Sequence, residues 1–414
     1  MKRLSLVAAL LMVATALPAS AEDAPGVFKI PGTDSTIKFY GYIQLDGTLD
    51  FSGRVANIEG LDWATALPGV PNDDSPEAKR RKGQLYMTAR TSRFGIQTST
   101  PSDMGPIGTR LEADFNGPNG DQSETYTNSV VFRLRHAYGT IGNLLVGQTW
   151  TTFLDFGGAP ETVDFNGPGS LALVRNPMIR YTLPVGQGMT LALAAENARG
   201  SQFGGAKYQT LPDLHANFGY SAGWGSLSVR AVTQQYNVAT GADTASKSAF
   251  SVAGAVSGQF KATANDTVQA QFAGGPGIGR YLLNAFGAVQ NLPGTDPAAI
   301  GGNPGAFRIE ANGDLKLINV MGYHVGLTHV WNPKTRSNVV WSQTFIADPK
   351  VDGVAAGAET QKTLSQAFVN TFFTLSKTTE VGVEYVWGQW KDFGSPAGTG
   401  TQNRVNASFH YNFF

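Results

Sequence analysis

Arginines recur beside large apolar residues. Arg93 precedes Phe94, Arg110 precedes Leu111, Arg133 and Arg135 bracket Leu134, and Arg180 lies between Ile179 and Tyr181. A guanidinium carries a fixed charge and a planar fork of donors, so several aimed at one place bind carboxylates with no covalent step. A second set of charges, Asp155, Glu161 and Asp164, lies in the stretch from Thr151 to Pro177, which is interrupted by Gly157, Gly158, Pro160, Gly167 and Pro168. Placed across an aqueous gap from the arginines, those carboxylates make a transverse field that orients dipolar solutes and favours anions. Glu112, Asp114 and Glu384 are the groups that would pair with the arginines instead.

Other chemistry finds little support. The chain has no cysteine, which excludes thiolate catalysis and a disulfide framework. Its histidines, 136, 215, 324, 329 and 410, are scattered and expected at surface or interfacial positions. His324 and His329 are five apart, on opposite faces of a strand, and share no metal. Gly275-Pro-Gly277-Ile-Gly279 is spelled somewhat like a phosphate loop, yet no helix follows it and Pro276 lacks the needed N–H. Asp73 and Asp74 match no standard calcium spacing. Lys plus Arg and Asp plus Glu both total 31, so net charge points to no nucleic-acid partner. No cofactor or metal is expected. An esterase or phospholipase on an outer-membrane barrel is the weaker alternative, because no Ser, His and acid set shares a face. A non-conducting, adhesive barrel is the other.

The elements that position the arginines are strands. In Arg404 to Phe414, Val405, Ala407, Phe409, Tyr411 and Phe413 share one face while Asn406, Ser408, His410 and Asn412 share the other. Sixteen such alternating segments begin near Ile37, Gln84, Ile107, Asn128, Asn143, Met178, Gly188, Pro212, Gly225, Lys247, Asp266, Leu315, Thr335, Lys362, Glu380 and Gln402. Short connections such as Pro101 to Gly105 and Asn332 to Lys334 alternate with long ones such as Ser52 to Gly83, Thr151 to Pro177 and Gly274 to Phe307. That asymmetry is expected of a 16-stranded antiparallel transmembrane β-barrel, its short turns in the periplasm. Parity then turns Phe94, Leu111, Phe132, Leu134 and Ile179 to lipid and Arg93, Arg110, Arg133, Arg135, Arg180 and Arg230 to the lumen. Arg90 shares parity with Phe94 and fits only if the strand is irregular there. Trp150, Trp224, Trp331, Trp341, Trp387, Trp390, Tyr40, Tyr42, Tyr138, Tyr385 and Tyr411 fall near strand ends and are expected at the headgroup level.

Targeting and composition agree with a barrel. Lys2 and Arg3, an apolar run from Leu4 to Leu17 and the site Ala19-Ser20-Ala21 make residues 1–21 a cleavable secretory signal. That run is shorter than the roughly 18 residues a membrane-spanning helix needs, and no longer one occurs elsewhere. Charged residues are 15% of the chain, against about 25% in an ordinary soluble domain, and there are 50 glycines for the many turns. The expected organisation is a signal at 1–21, a short periplasmic lead-in at 22–36 and a barrel at 37–414.

Ser92-Arg-Phe-Gly-Ile-Gln97 and Thr109-Arg-Leu-Glu-Ala-Asp114 look like the second hairpin of general diffusion porins. Ile30-Pro-Gly-Thr-Asp-Ser-Thr-Ile-Lys38, leading into Gly41-Tyr-Ile-Gln-Leu-Asp46, together with Gly277-Ile-Gly-Arg-Tyr281, resembles the DcaP-like outer-membrane porins. The resemblance implies a trimeric 16-stranded channel for small organic acids, notably dicarboxylates, with the loop after the fifth strand folded inward as a constriction. The expected partners are small anionic or polar solutes, outer-membrane lipid and two further copies of the chain.

Overall fold

The computed structural model describes residues 24–53, 64–117, 131–198, 210–239, 246–285, 307–310, 312, 314–350, 353 and 360–414. The expected signal and the start of the fourth strand at Asn128 to Val130 lie outside the described residues. Strands form where apolar and polar residues alternate: β1 (Thr36–Ser52), β2 (Gln84–Thr88 and Arg93–Thr100), β3 (Ile107–Asp114), β4 (Arg133–Ile141), β5 (Leu144–Trp150), β6 (Arg175–Gly186), β7 (Met189–Glu196) and β8 (Asp213–Ala222). There follow β9 (Gly225–Ala239), β10 (Ser246–Lys261), β11 (Asp266–Pro276), β12 (Asn319–Asn332), β13 (Thr335–Ile346), β14 (Gln361–Thr374), β15 (Thr379–Asp392) and β16 (Thr399–Asn412). Each pairs antiparallel with its neighbours, and β16 returns to β1, with Tyr42 opposite Asn412 and Asp50 opposite Arg404. The result is a closed sixteen-stranded barrel. Ahead of it, Val27–Lys29 folds back along Thr36 to Lys38.

Exposure is inverted relative to a soluble protein. On β1, Phe39, Ile43, Leu45 and Phe51 are exposed while Asp46, Thr48 and Asp50 are buried. On β16, Phe409 and Tyr411 are exposed while Arg404 and Asn406 are buried. An apolar outer face with a polar inner one is what a strand in hydrocarbon around a wet interior requires. At the closing seam Arg404 donates to Asp50 Oδ1 from Nε at 2.8 Å and Nη2 at 2.6 Å, and both side chains are fully buried.

Two irregularities re-aim side chains. β2 breaks between Thr88 and Arg93, where the Ser92 N–H bonds to Ala89 O. Leu85 and Met87 face outward before the break and Phe94 after it, so parity flips and Arg90, in the break, is buried. The second is a bulge: Glu112 pairs with His136 and Ala113 with Leu134, leaving Arg135 as the extra residue. Arg135 and His136, though adjacent, are therefore both buried on the inside.

Several expectations need correction. The segment at Leu315 is a short strand, Leu315–Leu317, paired with Phe307–Ile309, and the barrel strand begins at Asn319. Trp224, Trp331, Trp341, Tyr385 and Tyr411 are exposed on the outer surface, and Trp387 stacks on Trp341 with centroids 6.0 Å apart. Tyr40, Tyr42, Tyr138, Trp150 and Trp390 do not join them, because they sit on inward positions. Tyr40 donates to Glu112 and Tyr42 lies against His410. Tyr138 is paired with Arg110. Trp150 packs on His136, and the Trp390 indole N–H bonds to Val70 O. The histidines are not superficial either: His136, His215 and His324 are buried inside the barrel.

The interior is mostly polar, with one large apolar cluster. Leu67, Phe153, Tyr281, Leu282, Val320, Ile346, Leu364 and Trp390 form a buried apolar cluster in which connecting segments pack on inward apolar residues of β12 to β15. On those strands Val340, Phe368 and Val386 also face in. Glycines make room: a Cβ on Gly326 would lie 2.4 Å from Pro160 Cβ, and one on Gly382 would lie 2.7 Å from Val163 Cγ2.

Arg404→Ala leaves Asp50 charged and buried, and a broken buried pair costs about 3–5 kcal/mol. Urea unfolding of the barrel in lipid vesicles should show a lower midpoint, and an unaltered midpoint would remove the seam pair from the account of closure.

Candidate functional site

The bulge and the alternation of β2, β3 and β4 gather four guanidinium groups around two carboxylates. Glu112 accepts from Arg110 Nη2 at 2.5 Å and Arg135 Nε at 2.7 Å, with Arg93 Nε at 3.5 Å. Asp114 accepts from Arg133 Nε at 2.9 Å and Nη2 at 2.8 Å, and from Arg135 Nη1 at 2.8 Å. Four cations on two anions leave a formal excess of two positive charges. The carboxylates are buried beneath the arginines, whose side chains are more open, Arg133 to 28% and Arg93 to 17%. What faces the lumen is therefore mostly guanidinium.

Arg180 stands apart. It is half-buried on β6 opposite Leu145 and makes no ion pair among the described residues. Arg175 takes the place expected of it. Its guanidinium lies 4.2 Å from the centre of the Trp150 ring, on which Arg135 also rests at 5.7 Å. Arg175 likewise has no carboxylate within ion-pair distance among the described residues. Parity missed it, because Arg175 falls with the outward residues Pro177 and Ile179 and is turned inward at the first position of β6. Its adjacency to a Gly- and Pro-rich connection was the available signal.

The connection between β5 and β6, residues 151–174, lies inside the barrel along the wall from β7 to β15. Its Thr152 N–H bonds to Glu196 Oε1 and Arg230 donates to Phe153 O. His324 Nε2 lies 2.9 Å from Gly158 O. The Gly169 N–H bonds to Gln366, and the Ser170 N–H to Ser342. Glu384 accepts the N–H groups of Val163 at 2.9 Å and Asp164 at 2.8 Å, along with the amides of Asn370 and Asn406. Ser170 Oγ is 3.0 Å from His324 Nδ1. That is no hydrolytic dyad, since both residues are buried and the other imidazole nitrogen faces a carbonyl rather than a carboxylate.

The three acids of this loop do not form one surface opposite the arginines. Asp155 is used locally, accepting the N–H groups of Gly157 and Gly158 and the Ser257 hydroxyl. Glu161 pairs with Arg336 at 2.6 and 2.7 Å on the far wall, where Arg336 also holds Glu380. Asp164 is 2% exposed and accepts the Asn166 N–H. The loop meets the basic wall through Phe165, whose ring centre is 5.9 Å from the Arg93 guanidinium and 5.7 Å from that of Arg135. Below the loop is a cavity of about 570 Å³. Arg93, Arg135, Arg175 and Trp150 line one side, Glu161, Asp164 and Phe165 another, and the short turn at Ser376 to Thr379 its far end. No grouping of His, Asp and Glu suited to a metal occurs among the described residues.

A closed sixteen-stranded barrel with an apolar exterior, an inner charged wall and a loop docked within is the architecture of outer-membrane porins. The model of the DcaP outer membrane protein family matches residues 15–413, and the chain belongs to that family. It is an outer-membrane protein. The fold is similar to that of the outer membrane channel DcaP of Acinetobacter baumannii, with a TM-score of 0.72 at 24% identity over 93% of this chain and 99% of that one. It is also similar to an anion-selective porin from Comamonas acidovorans, with a TM-score of 0.55 at 13% identity over 92% of this chain and all of that one. Porin Omp2b of Brucella suis is 27% identical over 225 residues, 49% of this chain and 53% of the relative. The chain thus spans about half the length of the curated relatives it matches. The family and these relatives are channels and porins, not enzymes.

Glu384→Gln turns one of two acceptor oxygens into a donor that faces a backbone N–H, a mismatch worth about 1–3 kcal/mol. Limited proteolysis of the purified barrel should cut near Val163 faster in this variant. An unchanged rate would show that Glu384 does not hold the loop.

Proposed function

We propose that the chain is a passive diffusion channel for small hydrophilic solutes with a preference for organic anions such as dicarboxylates. The observation that carries this reading is the wall of Arg93, Arg135 and Arg175 along the cavity, where positive charge exceeds the two buried carboxylates. Arg175 contributes most to it, since its charge is not cancelled by a neighbouring carboxylate. A solute carboxylate reaching Arg175 exchanges part of its hydration for the paired donors of the guanidinium fork. Arg135 lies beside it on the same indole, so a second carboxylate finds a second cation. Contacts spread over several groups, none closed around the ion, let the solute leave as readily as it enters.

Arg93, Arg110, Arg133 and Arg135 are in this reading a paired ladder whose surplus charge draws anions inward, while Arg180 lies off the path. Asp155, Glu161 and Asp164 shape the loop, and only Glu161 and Asp164 border the cavity. We further infer, from the family resemblance, a homotrimer in outer-membrane lipid and removal of residues 1–21 during export.

Planar-bilayer recording in a salt gradient tests the reading. Arg175→Ala should lower the chloride-to-potassium permeability ratio several-fold, as a loss of about 1 kcal/mol of attraction at 4 Å in a water-like dielectric implies. It should also weaken block by succinate. A ratio unchanged in Arg175→Ala removes Arg175 from the filter, and a cation-selective unsubstituted protein overturns the anion preference itself.

A further inference from the structure

The segment after β11 does not stay at the rim. It turns at Gly277, whose φ of +74° suits glycine and whose N–H bonds to Ile318 O. Ile278, Tyr281, Leu282 and Ala285 are then wholly buried inside the barrel. From this segment Arg280 donates to Asp213 Oδ2 on β8 at 2.7 Å and to Asn176 Oδ1 on β6 at 2.9 Å. Tyr281 donates its hydroxyl to the same Asp213 oxygen at 2.9 Å. Three residues on, Asn284 donates to Gln366 Oε1 on β14 at 3.0 Å. β6 and β14 are eight strands apart in a ring of sixteen, so the segment ties opposite walls together.

It also holds the loop between β5 and β6. Leu282 is bridged to Ala172, the Asn284 N–H bonds to Gly169 O at 2.8 Å, and the Leu283 N–H reaches Leu171 O at 3.3 Å. Gln366 Oε1 accepts from Asn284 and from the Gly169 N–H, so one wall side chain serves both segments. Phe153, Ala172, Tyr281 and Leu282 belong to one buried apolar cluster.

We propose that Ile278–Ala285 is a second restriction element that sets the size limit of the path, with Arg280 and Tyr281 as the positioning residues that hold it. Charge selection and size selection then belong to different parts of the barrel. The arginine wall of β2 to β4 discriminates by sign, and this strut, braced against the inward loop, closes the β9 to β14 side and confines solutes to the remaining strip. The proposal requires that the barrel conduct, but not that it prefer anions.

Two variants test it: Arg280→Ala combined with Tyr281→Phe, and replacement of Ile278–Ala285 by a Gly/Ser stretch of equal length, each confirmed as a barrel by circular dichroism. Single-channel conductance should rise about twofold or more as the open cross-section widens. Proteoliposomes should swell in neutral oligosaccharides that the unsubstituted protein excludes, while the reversal potential stays where it was. Unchanged conductance and sugar cut-off in a folded variant, or lower conductance, overturn the proposal. Asn284→Ala, which frees the Gln366 end alone and leaves the Arg280 pair intact, should give a smaller change in the same direction. No change in it removes the tie to β14. If the unsubstituted protein is silent, it is the channel reading that fails.

Discussion

A backbone that crosses hydrocarbon must satisfy every N–H and C=O within the protein, since lipid offers no partner and each orphan costs several kcal/mol. For strands this leaves only a ring in which the last pairs with the first, and here β16 meets β1 along Tyr42 to Ser52. Closure decides what each residue type can do. Once the ring is sealed, outward positions have to be apolar, and a charge is tolerable only inside. The arginines at 93, 110, 133 and 135 are therefore gathered by exclusion before any of them binds anything.

The inside carries its own obligations. Glu112 and Asp114 would be costly alone at their burial, and the surrounding arginines compensate them, Arg110 and Arg135 from buried positions and Arg93 and Arg133 from more open ones. The inward loop is fixed by a different device, in which wall side chains such as Glu384, Gln366 and Ser342 accept its backbone N–H groups. Fixing peptide groups, rather than side chains, holds an irregular segment whose own hydrogen bonds have nowhere else to go. Carboxylates in this barrel thus gather arginines on β3, close the seam on β1 and anchor inward segments on β7, β8 and β15.

Most of the architecture was legible because a period of two survives in nearly every strand. The strands beginning at Gln84, Ile107, Gly225, Asp266 and Thr335 start where alternation begins, and Arg93, Arg110 and Arg133 face the side that parity assigns. Tyr40 and Tyr42 share parity with Gln44 and Asp46, so alternation points them inward, whereas their nearness to a strand end points to the headgroup level. His136 and Arg175 could not be read that way. A bulge or a strand end changes facing by one residue and leaves no mark in composition. The roles of Asp155, Glu161 and Asp164 depend on where a nonrepetitive loop lies, which strand periodicity does not encode. Leu315 lies in a separate two-stranded pair that alternates just as a barrel strand does, so alternation alone does not distinguish it from the wall.

The bulge at Arg135 has an evolutionary consequence. A bulge takes up a single inserted amino acid in place, so the residues on either side keep their pairing and facing while the extra one is turned inward. A lineage could therefore add a cation to the lumen, or remove one, by a codon-length insertion or deletion, with no change in the neighbouring residues. In this family, gaps of one position inside strands are accordingly places to look for altered permeability, alongside exchanged charges.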